Sequence, residues 1–459
     1  MTSGDRLRPD PARSAAHPEG RFPYGFASRS IVLLVAGFAW LGPAWWNPRF
    51  LYAMLGWDLF VLAFWAWDLA TVTAPASLSV TRSWPHTLAL GSPGSVELSL
   101  SNGGAGWIRA QLGDTPPAAL GVESGDVTLE VPPGATASAS YPIAPRRRGD
   151  QDLGVVYLRY RGRLGMAERR ARADLPQRVR IYPDLEQSRR LTSYLIRVRQ
   201  VDLEKRLRRQ RGRGREFESL REYRTGDPWR DVCWTATARR GKMITRQYQV
   251  ERNQHVWIVL DTGRLLRARV DGLTKLDHAV SAALSLAQVA LFSGDRVGLL
   301  AYGRSIEHRL RPARGSAHVR TLLETLAVVQ PEASEADHEG AAAGLMALQR
   351  QRCLIVWLTD LAETAAIPEV IESAARLSSR HLVLFVLIGQ PDLIRLAAHA
   401  PESVSGMYRY AAAMEMIDRR ERLLGSLRAR GALAMESLPG GLTATLVTRY
   451  LEIKERNLL

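Results

Sequence analysis

The chain has 459 residues, 46% of them hydrophobic and 24% charged, with a formal net charge of +16. Such a length exceeds one ordinary domain, and such an apolar content excludes a disordered chain. Two cysteines, Cys233 and Cys353, exclude a disulfide framework and a C-x-x-C pair, while the basic excess suits an anionic partner: a lipid leaflet, a nucleic acid or an acidic protein.

Residues 1–29 carry Arg6, Arg8, Arg13, Arg21 and Arg29 and read as a cytoplasmic N-terminal tail. From Ser30 to Pro48 no residue is charged, and the apolar run after Arg49 is broken only by Asp58. At about 1.5 Å per residue each run reaches roughly 27 Å, near the thickness of a hydrocarbon core. Trp40, Trp45, Trp46, Trp65 and Trp67 lie towards the ends, where amphipathic rings favour the interface. Residues 30–73 are therefore predicted to form a two-helix transmembrane hairpin, returning the rest of the chain to the cytoplasm. Asp58 within the second span is costly unless it faces the neighbouring helix or a partner subunit.

Over residues 76–183 short runs of period two, such as "SVELSLSN" and "VTLEVPPG", alternate with Gly- and Pro-rich turns. They predict a small β-sandwich-like domain without clustered chemistry. Residues 186–254 form a basic linker followed by a charged motif. Residues 186–215 hold eleven Lys or Arg against three acidic residues, and Leu191, Tyr194, Leu195 and Val198 have helical spacing. Such a helix could rest on an anionic leaflet, bind nucleic acid through phosphates, or be a solvated linker.

From 255 to 459 apolar strands alternate with amphipathic helices, beginning with "HVWIVL" and ending with "TATLVTRYLEIKER". The pattern predicts a parallel, doubly wound, Rossmann-like α/β domain. Ligands on such sheets sit at the carboxyl ends of the strands, where Asp261 and Asp360 each follow an apolar run. Each aspartate also fits as the cap of the loop that follows.

The run "SLREYRTGDPWRDVCWTATARRGKMITRQYQVE", with "VLDTGR" and "WLTDL" after it, resembles a bacterial membrane-anchored family known as domain of unknown function 58. The motif residues are Arg221, Tyr223, Arg224, Gly226, Asp227, Arg230, Trp234 and Arg239. Family members have two N-terminal spans, a β-rich segment and a von Willebrand factor A-like domain, and are associated with MoxR-type AAA+ ATPases. The resemblance thus implies a multi-pass protein of the cell membrane with cytoplasmic domains, acting as an adaptor or scaffold. It implies no enzymatic reaction.

Von Willebrand A domains often hold Mg²⁺ through Asp-x-Ser-x-Ser, a later threonine and a second aspartate. Asp261 and Asp360 match the two carboxylates, but Gly263 and Leu265 stand at the serine positions. The expected threonine loop, "QPEASEADHEGAA", offers Ser334, Asp337 and His338 instead. A hard cation wants oxygen ligands in octahedral array, so Mg²⁺ would bind weakly and the metal site reads as degenerate. Arg264 could supply the missing positive charge. The rim of Asp261, Gly263, Arg264 and Asp360 is accordingly predicted to dock a protein partner, with no cofactor required. Nucleic-acid or anionic-membrane binding by residues 189–215 is the alternative. A metal-dependent hydrolase is the weakest reading, since no His pair or phosphate loop is present.

Overall fold

The computed structural model describes residues 8–184, 216–223, 229–249, 254–361, 367–456 and 458. The predicted basic helix of 186–215 and the motif residues Arg224, Gly226 and Asp227 lie outside these residues. The chain divides into two compact units, residues 1–182 and 183–459.

The first unit is a largely antiparallel β structure carrying an apolar helical hairpin. Strand β1 (Ala12–Pro18) and the short β2 (Tyr24–Phe26) precede helices α1 (Ser28–Gly37) and α2 (Phe50–Thr71). Strands β3 (Leu78–Ser83), β4 (Gly94–Asn102), β5 (Ile108–Asp114), β6 (Asp126–Val131), β7 (Thr136–Ile143), β8 (Gly149–Arg161) and β9 (Ala167–Ile181) follow. Their order is β6-β5-β8-β9-β1-β3-β4-β7, a nearly closed, barrel-like path. Alternate residues such as Val96, Leu98 and Leu100 point into one core, as period two requires. Within that core Asp114 accepts two bonds from the Arg82 guanidinium, at 2.6 and 2.9 Å, and one from Tyr141 Oη at 2.8 Å.

Two features differ from the sequence reading. Residues 12–18, expected in a tail, form β1, which pairs with β3 through Ala12–Ala15 and with β9 through Ala16–Pro18. Its alternation of small residues, "ARSAAHP", buries Ala16 but offers little hydrophobic signal. Among the described residues one helical stretch, 50–77, is long and apolar enough to cross a membrane, where two equal spans were expected. The first run, 28–44, is shorter and changes to a 3₁₀ turn at Phe38–Trp40 before Pro43. Asp58 faces that neighbouring helix, since a side chain at Gly37 would meet its carboxylate.

Both ends of the hairpin are fastened to the start of β9. Asp68, 1% exposed, accepts the backbone N–H groups of Met166 and Ala167 through Oδ2, each at 2.8 Å. From the other end Ser30 Oγ donates to the Met166 carbonyl at 2.8 Å and Arg29 to that of Leu164 at 2.8 Å. The chain leaves the β unit and re-enters it at one place.

The second unit begins with an antiparallel pair, β10 (Glu216–Glu222) and β11 (Ile244–Gln249), enclosing helix α3 (Trp234–Arg240). A six-stranded sheet follows, ordered β16-β15-β12-β17-β18-β19. Its strands are β12 (His255–Asp261), β15 (Arg296–Tyr302), β16 (Ile306–Ala313), β17 (Leu354–Thr359), β18 (Leu382–Ile388) and β19 (Leu433–Ser437), with β13 (Arg269–Val270) and β14 (Leu273–Thr274) as a small separate ribbon. The central strands β12, β15, β17 and β18 are buried along almost their whole length, as expected of strands covered on both faces. Covering them are α4 (Lys275–Phe292), α5 (Ser316–Val328), α6 (His338–Leu348), α7 (Ile367–Ser378), α8 (Pro391–Ala398), α9 (Val404–Ala429) and α10 (Leu442–Glu455).

The sheet is mixed rather than purely parallel. Edge strand β16 runs antiparallel to β15, and its sequence "IEHRLRPA" is mostly polar and part-exposed, so it carries no apolar run. The arrangement is consistent with a von Willebrand factor A-like fold. Strand order reverses at β12, between β15 and β17, which makes the ends of β12 and β17 the topological switch point.

Candidate functional site

Asp261 ends β12 and Asp360 follows β17, on adjacent parallel strands with Leu260 beside Leu358. Both carboxylates are buried, with Asp261 2% exposed and Asp360 3%. Their surroundings are unlike.

Around Asp261 the donors are neutral. Its Oδ1 accepts the Gly263 N–H at 2.7 Å and its Oδ2 the Thr359 hydroxyl at 2.6 Å. Burial pushes its pKa up to about 7; the bonds from Thr359 and Gly263 partly oppose this, and nearby Asp360 adds to it. Thr359 lies one residue before Asp360 and supplies a hydroxyl to the site from a strand, where the sequence reading looked for one in a loop.

Around Asp360 the donors are cations. Lys275 Nζ lies 2.6 Å from Oδ2 and Arg420 Nη2 2.8 Å from Oδ1. Lys275 is fully buried and Arg420 3% exposed. Arg420 also reaches Glu436 Oε1 at 2.6 Å, and Lys275 the Ile388 carbonyl at 3.3 Å. Lys275 is the first residue of α4, next to a capping box of Thr274 and Asp277. A cation at a helix N-terminus opposes the macrodipole, so this lysine needs a reason, and Asp360 is it. Lys275 and Arg420 are site residues that the sequence reading missed. The signal for the first was a cation opening the largely apolar run "KLDHAVSAALSLAQVALF".

The loop expected to carry a metal-binding hydroxyl is stitched to the rim by its backbone. Glu332 N–H donates to the Thr262 carbonyl at 2.7 Å, Arg264 N–H to that of Ser334 at 2.9 Å, and Asp337 N–H to that of Gly303 at 2.9 Å. Ser334 bonds Glu332, and Asp337 caps α6 through the Gly340 N–H. His338 is buried, and Tyr302 Oη lies 2.7 Å from its Nδ1. Burial lowers its pKa to about 4, opposed by Asp337 and Glu335, so at neutral pH it is an uncharged acceptor. Glu332 and Glu307 share a proton at the same edge. Burial raises Glu307 to about 7, whereas bonds from Glu307, Arg304 and Ser334 hold Glu332 at about 2.

These donors do not fit a divalent cation. Both Asp360 oxygens already face protein cations, which would repel an ion placed beside them. A side chain at Gly263, the position of the first family serine, would come within 3.0 Å of both Ala336 Cβ and its backbone nitrogen. Thr262 Oγ1 is buried and unbonded, but it adds a neutral oxygen and no charge. Arg264, expected near the carboxylates, instead turns outward and pairs with Glu335 at 3.0 Å, both half-exposed.

The motif residues within the described segments are mostly exposed. Trp229 and Trp234 are 64% and 63% exposed, and the Trp229 ring lies 5.5 Å from that of Tyr223. Arg221 bonds the Glu222 carbonyl, Glu222 pairs with Lys242 at 3.1 Å, and Arg230 lies 3.9 Å from Asp231. Arg239 is exposed on the last turn of α3.

The family model described as "Protein of unknown function DUF58" matches residues 219–407, which span this motif, both aspartates and most of the sheet. Residues 219–407 belong to the DUF58 family. Within curated proteins the chain is 30% identical over 152 residues to an uncharacterized protein of Mycobacterium bovis, covering 32% of this chain and 48% of that one. It is 24% identical over 199 residues to the uncharacterized protein YeaD of Bacillus subtilis, covering 43% and 46%. The chain therefore spans about half the length of the curated relatives it matches. Solved structures similar to the DUF58-containing chain include an aerotolerance-related membrane protein of Bacteroides fragilis, 16% identical with a TM-score of 0.31, covering 44% of this chain and all of that one. The conserved hypothetical protein BatB of Bacteroides thetaiotaomicron is 15% identical with a TM-score of 0.30 over the same shares.

Proposed function

We propose that this protein is a membrane-anchored adaptor whose DUF58 rim docks a protein partner without a metal ion and without catalysing a reaction. The observation that carries the reading is the state of the switch point. One carboxylate there is neutralised by Lys275 and Arg420, and the other is sealed among neutral donors. Neither is available as a metal ligand or a general base, whereas Arg264, Glu335 and Arg304 stand outside as charged arms on a rigid support. Paired charges on a fixed scaffold suit electrostatic recognition of a protein surface. The family resemblance nominates a MoxR-type AAA+ ATPase as that surface.

Anchoring rests on the hairpin. Because β1 and β9 pair, and because Ser30 and Asp68 are both bonded at Met166, the two ends of residues 28–71 must lie on one side of any bilayer they enter. That pairing favours a second crossing by the short first run over a single crossing. The arginine excess at these ends supports a cytoplasmic location for them.

Pull-down of the tagged full chain from detergent-solubilised native membranes, nuclease-treated and with or without EDTA, tests the docking. Equal enrichment of an AAA+ ATPase in both samples is expected. Loss of the ATPase in EDTA would overturn the metal-free rim, and its absence from both would overturn the partner. In proteoliposomes of a Cys233→Ser background, cysteines at Asn47 and Gly20 should react with an impermeant maleimide from opposite sides. Reaction from one side would remove the second crossing.

A further inference from the structure

The base of the hairpin carries more positive charge than the protein itself compensates. Arg29 begins α1, and Arg161, Arg163, Arg169 and Arg170 flank the turn from β8 into β9 to which both helices are fastened. Glu168 accounts for Arg170, at 3.8 Å, and for Arg159. Arg169 bonds the Leu69 carbonyl, and Asp68 is committed to backbone N–H groups. Arg161, the last residue of β8, and Arg163, in the turn from β8 to β9, form no ion pair among the described residues. Gly165 of that turn, at φ +67°, brings Arg161 and Arg29 together, since a Cβ there would lie 3.7 Å from one side chain and 3.8 Å from the other.

Beside these cations runs an open groove of about 420 Å³ lined by Ser28, Arg29, Val32, Leu33 and Met166. Its floor is apolar and its mouth basic. On the other flank Phe22, Tyr24 and Phe26 are exposed, and Phe26 stacks on Trp65 at 4.7 Å. Exposed aromatic rings beside arginines mark the headgroup level of a bilayer. An apolar slot that begins there and is topped by uncompensated guanidinium groups matches one molecule: a phospholipid with an anionic headgroup, acyl chain in the slot and phosphate above it.

We propose that the hairpin base is an anionic-phospholipid site, in which Arg161 and Arg163 hold the headgroup beside Arg29, which donates to the Leu164 carbonyl, and Val32, Leu33 and Met166 receive an acyl chain. The site rests on the membrane-hairpin reading given above. It makes the β unit a lipid-registered platform rather than a domain suspended on a tether.

The full chain would be reconstituted in bilayers of equal phosphatidylglycerol and phosphatidylcholine, then released into native mass spectrometry and its retained lipids weighed. Phosphatidylglycerol should be retained over phosphatidylcholine by on the order of tenfold, because two basic groups act near the surface. The double variant Arg161→Gln, Arg163→Gln should lose that preference while keeping its phosphatidylcholine adducts. Arg170→Gln, whose partner is Glu168, should keep it, which separates a bound headgroup from general charge. Equal retention of the two lipids by the unaltered chain, or a preference that survives the double variant, would overturn the site. Failure to float with vesicles of either composition would instead remove the membrane reading, and the site with it.

Discussion

The ends of β12 and β17 are neighbouring strands of one sheet, each closing on a buried aspartate, yet they solve the burial of a carboxylate in opposite ways. At β12 the group is surrounded by neutral donors, and burial raises its pKa to about 7. At β17 two cations approach within 2.8 Å, one from each of two helices that are distant in sequence. In a metal-binding relative of this fold one ion would serve both aspartates. Here the protein supplies positive charge to one and surrounds the other with neutral donors, where burial holds its pKa raised to about 7. Two carboxylates at the right spacing are thus insufficient to infer a metal centre; what stands opposite their lone pairs decides.

The sharpest way to break this contrast is Asp360→Asn. It leaves Lys275 buried without a counter-charge and Arg420 with Glu436 alone, so a loss of about 3–5 kcal/mol is expected in thermal melts of the full chain in detergent. A melt unchanged by this substitution would mean the two cations do not depend on Asp360.

Asp261→Asn should behave differently. The folded group has a pKa of about 7 against about 3.9 in an unfolded chain, so between those values only the folded state holds the proton. Its contribution is complete below about pH 4 and is lost as pH rises through about 7. Stability of the unaltered chain relative to Asp261→Asn should therefore fall across that window, by at most about 1.4 kcal/mol per pH unit. Taking the difference removes the parallel titration of Glu307. A difference that rises with pH would show Asp261 to be charged when folded.

Gly263→Ser, which restores a family hydroxyl, should cost roughly 1–3 kcal/mol by crowding Ala336. Adding Ala336→Gly should recover only part of that loss, because the residue 336 backbone nitrogen and Asp261 Oδ1 stay within 3.0 Å, and isothermal titration of the double variant with Mg²⁺ should still show no tight binding. Tight binding there would mean that Lys275 and Arg420 do not exclude the ion. The smallest effect on stability is expected from Arg264→Ala, below about 1 kcal/mol because its pair with Glu335 is half-exposed. Its effect should be on partner retention in the pull-down, and unchanged retention would move the docking surface off this rim.

Much of the α/β unit was legible in sequence because its central strands are continuous apolar runs. "HVWIVL", "RVGLLAY", "CLIVWLTD" and "HLVLFVLIG" all became strands, and the two aspartates fell at the rim as expected. Edge strand β16 escaped because one face is solvated and its residues are charged. In the first unit β9 escaped for a related reason: its inward positions include Ala171 and Ala173, too small to stand out among the arginines between them. That Lys275 and Arg420 meet at Asp360 was not legible. Lys275 and Arg420 lie far from Asp360 and from each other in the chain, and nothing in local spacing marks two cations as meeting at one carboxylate. Arg264, adjacent in sequence, was the natural candidate and points away.

The pairing of β1 across the hairpin sets an order of events during synthesis. β1 leaves the ribosome before either helix, but its neighbours end only at Ser83 and Ile181. It must wait, unpaired, while the apolar segment between is made. Under the proposed two-crossing anchor, a hairpin that entered with one helix on the wrong side would carry β1 away from β9. Closure of the β unit would then be a record of correct insertion, since only a chain with both helix ends on one side could complete it.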